Sequence, residues 1–114
     1  MNLSRGRSAT DIEYPMVIPL TTLALVDDIV RVYINRAITI TKIIGSLRVL
    51  VSGTHTIALK NDAGSTLGTI TFNAAGVVTA NPSITSVVAG DTIHVNLTSL
   101  GTGAVDTTIT VWYR

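Results

Sequence analysis

The stretch Val88-Ala89-Gly90-Asp91-Thr92-Ile93-His94-Val95-Asn96-Leu97-Thr98 decides the fold, together with Thr107-Thr108-Ile109-Thr110-Val111-Trp112-Tyr113-Arg114 that follows it. In the first run Ile93, Val95 and Leu97 alternate with Thr92, His94, Asn96 and Thr98, the two-residue period of a strand with one buried face. In the second, Ile109, Val111 and Tyr113 oppose Thr108, Thr110 and Trp112. Gly101-Thr102-Gly103 supplies a flexible turn between them, so an antiparallel hairpin is expected. A hairpin alone is at best marginally stable. Other strands must therefore cover its apolar face, and the last run, which closes the sequence, is expected inside a sheet.

The rest of the chain provides those strands. Tyr14-Pro15-Met16-Val17-Ile18-Pro19-Leu20 is apolar but holds two prolines, which lack a ladder donor and point to an edge strand. Residues 21–28, ending on Asp27 and Asp28, read either as a short helical turn or as a loop. From Ile29 onward Val30, Val32 and Ile34 alternate with Arg31, Tyr33 and Asn35, and Ile38 and Ile40 with Ala37, Thr39 and Thr41. The alternation breaks at Lys42-Ile43-Ile44-Gly45 and resumes at Leu47, Val49 and Val51 in the other phase, as a β-bulge or a strand crossing between sheets would make it do. His55-Thr56-Ile57-Ala58-Leu59-Lys60 and Leu67-Gly68-Thr69-Ile70-Thr71-Phe72 flank the turn Asn61-Asp62-Ala63-Gly64-Ser65. Val77-Val78-Thr79 and Ile84-Thr85-Ser86-Val87-Val88 follow on either side of Asn81-Pro82. The expectation is an all-β chain: a jelly-roll-like antiparallel β-sandwich of about eight strands over residues 14–114, preceded by an extended polar arm over residues 1–13.

Composition narrows the function. With 114 residues the chain has room for one core and one domain. Hydrophobic residues make up 46% and charged ones only 13%, a surface suited to being packed against neighbours. A net charge of +1 gives no electrostatic case for nucleic acid. No window approaches a membrane span, and residues 1–7 lack the apolar core of a signal peptide. Without cysteine there are no disulfides and no thiolate metal sites.

A search for chemistry finds little. His55 and His94 are the only histidines; both are read as lying on the polar phase of their strands, facing solvent or an interface. If their strands were neighbours they would still lack further metal ligands. Asp62, Asp91 and Asp106 fall in turns, where Asp bonds local backbone. Asp27 and Asp28 lack the spaced oxygens of a calcium loop. No catalytic, cofactor or metal residues are assigned. Trp112, on the threonine phase of its strand, suits a subunit interface, where amphipathic rings are enriched, or equally a packed position under a loop, and less well a glycan platform.

Ala37-Ile38-Thr39-Ile40-Thr41, Gly68-Thr69-Ile70-Thr71-Phe72, Val88-Ala89-Gly90-Asp91-Thr92-Ile93 and the Thr-rich final strand resemble small β-sandwich domains of tailed-bacteriophage virions. The resemblance covers about two thirds of the chain; residues 14–35 lie outside it. It implies a non-enzymatic virion component, usually a homotrimer: a head decoration (cement) protein on the capsid surface whose partners are its own copies and the major capsid protein. The alternative is a receptor- or carbohydrate-binding module of a tail fibre or appendage, with a glycan as partner. Arg5, Arg7, Tyr14, Met16, Ile18, Val30, Val32 and Trp112 are the candidate subunit or capsid contacts.

Overall fold

The computed structural model describes residues 12–20 and 28–114. Nine strands are present: β1 (Tyr14–Leu20), β2 (Val30–Tyr33), β3 (Ile38–Val49), β4 (His55–Lys60), β5 (Thr66–Phe72), β6 (Gly76–Ala80), β7 (Ser86–Val87), β8 (Thr92–Ser99) and β9 (Val105–Tyr113). There is no helix among the described residues. The strands form two antiparallel sheets packed as a sandwich. One has the order β1-β9-β3-β6, with β7 added beside the start of β3; the other has the order β2-β8-β4-β5. Four pairings are nested, first strand with last, second with penultimate, third with sixth and fourth with fifth, and the β3–β9 and β4–β8 ladders join these pairs into the two sheets.

That nesting corrects the expected terminal hairpin. β8 and β9 do alternate as read, but they lie in different sheets and turn their apolar faces toward each other. Ile93, Val95 and Leu97 meet Ile109 and Val111 in one core together with Ile43, Leu47, Ile57, Leu59, Leu67, Ile70 and Phe72. The segment Leu100–Ala104 carries the chain across the roughly 10 Å between layers and is held by reciprocal backbone bonds between Ser52 and Thr102. Each strand then has two partners of its own instead of one, and β9 sits between β1 and β3.

The phase change in β3 is a bulge. Ile38 and Ile40 point inward, then Ile43, Gly45 and Leu47, with the extra residue at Thr41, where the register to β9 shifts. The strand stays in one sheet throughout, and the reset comes before the paired isoleucines. Gly45 has a packing role: a Cβ built there would lie 2.6 Å from Ile70 Cγ2 and 2.8 Å from the Phe72 ring of the facing sheet. Gly45→Ala is expected to lower unfolding free energy by about 1–3 kcal/mol through overpacking. Urea denaturation checks this, and an unchanged midpoint would show that the layers separate there at little cost.

The edges are managed. The ladder from β1 to β9 runs unbroken from Tyr14↔Tyr113 to Leu20↔Thr107. Prolines have no N–H, so an unbroken ladder requires that Tyr14, Met16, Ile18 and Leu20 make its bonds while Pro15, Val17 and Pro19 turn their backbone to the free margin. On β5, the Leu67 carbonyl accepts from Ser83 N–H (2.6 Å) and Ile84 N–H (3.3 Å). β2 and β6 are short, another means of blunting an edge.

Candidate interaction surface

Strand register builds the outer face of the β1-β9-β3-β6 sheet row by row. Pro15, Trp112 and Lys42 form one row, Val17, Thr110, Ile44 and Thr79 the next, and Pro19, Thr108, Ser46 and Val77 the third. Four strands about 4.8 Å apart, with rows two residues apart along each strand, make a plane roughly 15 Å on a side. Lys42 is the only charged side chain in these rows, and its Nζ lies 5.7 Å from the centre of the Trp112 ring, which the cation attracts. Val17 and Val77 are 61% and 69% exposed. Exposed valines set among hydroxyl side chains, with a single charge in three rows, suit a contact surface. At one end the exposed Arg48–Asp106 ion pair bounds the face. At the other, Thr41 Oγ1 lies 2.9 Å from Glu13 Oε1 and 3.2 Å from the Trp112 carbonyl oxygen.

The opposite outer face is polar. Arg31, His94 and Lys60 are cross-strand neighbours on β2, β8 and β4. Asp28 and Asp62 reach in from the chain before β2 and from the β4–β5 turn. The two outer faces thus differ: one collects charge, and the other holds Lys42 alone in its three rows, with the remaining charges at its ends.

The predicted contact residues separate accordingly. Trp112 lies on the uncharged face. Tyr14 is exposed on β1, its ring 5.9 Å from that of Tyr113. Ile18, only 3% exposed, belongs to the core, because it shares the inward parity of Met16 and Leu20. Met16, Val30 and Val32 are half-buried and pack against the edge of the core, away from the outer face of the β1-β9-β3-β6 sheet. Arg5 and Arg7, like residues 21–27 with Asp27, lie outside the described residues; of the predicted arm, only Ile12 and Glu13 are described, both exposed. The residues that sequence reasoning missed are Val17, Ile44 and Val77, each outward by strand parity.

The histidines have opposite fates. β4 and β8 are neighbours, yet His55 points into the core and His94 out, so the pair cannot share a metal. Full burial of His55 corrects the expectation of an exposed ring: it shares the parity of Ile57 and Leu59, the signal that was open to sequence reading. Gly101 N–H donates to its Nδ1 (3.2 Å), which leaves the proton on Nε2 to be donated to Thr107 Oγ1 (3.0 Å). Burial lowers its pKa from the ordinary 6.5.

His94 donates through Nδ1 to Asp28 (2.7 Å) and through Nε2 to Asp62 (2.6 Å). Two carboxylate acceptors require both ring nitrogens to be protonated, so the ring is an imidazolium. The bond to Asp62 first, then the bond to Asp28 and the attraction of both carboxylates, raise its pKa above 6.5 in spite of desolvation. Asp28 N–H in turn donates to Asn96 Oδ1 (2.7 Å). The Asp91 carboxylate accepts from Asp62 N–H (2.9 Å) and Thr92 N–H (2.8 Å), and these bonds, that from Asp62 first, lower its pKa. The turns carrying Asp28 and Asp62 are thereby pinned to β8, with Arg31 and Lys60 flanking the ring.

A group whose pKa is raised on folding contributes stability below its unfolded value and loses it as pH rises through the folded value. The stability that His94 confers over His94→Gln is therefore expected to be larger near about pH 6 than near about pH 9. His55 works in the other sense, its contribution falling as pH drops below 6.5 toward its lowered pKa. Melting curves of both proteins across this range check the sign, and a parallel pH profile would refute it.

No protein-family model matches the chain, and no curated protein matches it. Among solved structures it is similar to a Bacillus endospore appendage from a family of disulfide-linked pili, at 22% identity over 90% of this chain and 86% of the other, with a TM-score of 0.45.

Proposed function

We propose that the protein is a non-enzymatic structural component of a bacteriophage particle: a head decoration protein that seats on the assembled capsid through the outer face of the β1-β9-β3-β6 sheet. One observation carries this reading. Three rows of side chains across four strands hold Lys42 as their single charge, and a face this poor in charge loses little solvation when it is covered. The polar residues that would signal catalysis are engaged elsewhere, His55 in tying the sheets together and His94 in pinning two turns. The resemblance of the turn and strand motifs to virion β-sandwich domains supplies the particle, the capsid partner and the homotrimeric state.

The mechanism is linkage. A protein that binds the assembled shell and not its dispersed subunits stabilises the shell in proportion to occupancy. The test is to add the purified chain to undecorated shells of the phage whose genes adjoin its own, then measure co-sedimentation and the temperature of shell disruption. Co-sedimentation with a raised disruption temperature is expected. Shells that neither retain the protein nor gain thermal resistance would refute the proposal.

A further inference from the structure

All three tyrosines gather at one end of the sandwich; Phe72 and Trp112 are the only other aromatic residues. Tyr113 closes β9 and stands opposite Tyr14 across the ladder, with ring centres 5.9 Å apart. Tyr33, at the end of β2, is 67% exposed. A hollow of about 200 Å³ is lined by Tyr33 and Tyr113, by Met16 with the buried Ile34 and Ile38, and by Asn35 and Arg36.

This end is fixed in place. Ile34 N–H donates to the Asp91 carbonyl (2.9 Å) and Gly90 N–H to the Ile34 carbonyl (2.7 Å), which ties the Asn35-Arg36 loop to the turn before β8. Thr39 and Arg114 exchange backbone bonds of 2.8 and 2.9 Å, which fix the start of β3 against the end of β9. Arg31 and Arg48 are each engaged by an aspartate, whereas Arg36 has no carboxylate partner among the described residues. A hollow lined by buried apolar side chains, an exposed ring, an amide and a guanidinium has the makings of a small-molecule site.

We propose that this hollow binds a single sugar ring bearing a carboxylate. The face of Tyr33 is the negative pole of its quadrupole and attracts the C–H groups on the flat side of a pyranose. The Arg36 guanidinium offers a planar fork of donors that matches a carboxylate. Asn35, both donor and acceptor, suits hydroxyl groups. The hollow is smaller than the roughly 300 Å³ at which drug-sized pockets begin, so it takes one ring of a glycan and leaves the rest in solvent. It lies at the end of the sandwich and not on the uncharged face, so sugar binding and capsid seating are separate properties.

The test uses the whole chain without shells, with N-acetylneuraminic acid and glucuronic acid as probes and glucose as the neutral control, followed by saturation-transfer NMR. Saturable binding of an acidic sugar is expected, with a Kd on the order of 1 mM and glucose weaker by about fivefold or more. Tyr33→Ala and Arg36→Gln should each weaken it about fivefold. Both side chains are exposed, so melting temperatures should stay unchanged. No saturable binding of either acid would overturn the proposal. So would glucose binding as tightly as the acids, or binding that survives both substitutions.

Discussion

Replacing His55 with Ala is expected to lower the unfolding free energy by about 3–5 kcal/mol. The ring is fully buried, packs 6.1 Å from the Phe72 ring, and joins β4 of one sheet to Thr107 on β9 of the other. Alanine would leave the Thr107 hydroxyl and the Gly101 N–H without their partner, at about 1–3 kcal/mol for each unsatisfied buried group, and would open a cavity besides. Domains of this size have only about 5–15 kcal/mol in total, so the variant should unfold at markedly lower urea. Thr107→Val keeps the shape and strands only the Nε2–H, so its loss should be about 1–3 kcal/mol. A His55→Ala midpoint close to that of the parent would show that the bond between the sheets contributes little.

The second large effect concerns assembly, not folding. Val17→Asp combined with Val77→Asp places a carboxylate on each of the two outermost strands of the uncharged face, at positions more than 60% exposed. Each surface change should alter stability by no more than about 0.5 kcal/mol. Burying an unpaired carboxylate in a contact costs several kcal/mol, so capsid affinity should fall by about 100-fold or more. Co-sedimentation with shells, alongside melting of the free protein, separates the two effects. Retained binding would assign the contact to another surface.

Much of this architecture was legible in local alternation, since a two-residue period states which side chains share a face. β8, β9, the edge character of β1 and a phase break in β3 could all be read in that way. Partner choice could not. Nothing in the spacing of Leu97 and Ile109 distinguishes a pair of strands hydrogen-bonded side by side from a pair stacked across a core, and here the core won. Ile18 illustrates a related error: an apolar residue between prolines looked available for contact, although Met16 and Leu20 on the same parity already pointed it inward. His55, read on the polar phase of its strand, instead shares the inward phase of Ile57 and Leu59. The uncharged face itself was hidden because its rows draw on β1, β9, β3 and β6, segments far apart in sequence that only the register aligns. The same holds for the polar cluster, in which Asp28, Asp62 and His94 are 32 or more positions apart.

The proline-bearing margin of β1 has a bearing on crowding. Val17 alone can offer an amide there between Pro15 and Pro19, so a neighbouring chain finds three acceptors but a single donor to pair with. Strand addition along that side is thereby disfavoured, and copies that meet there do so mainly through side chains.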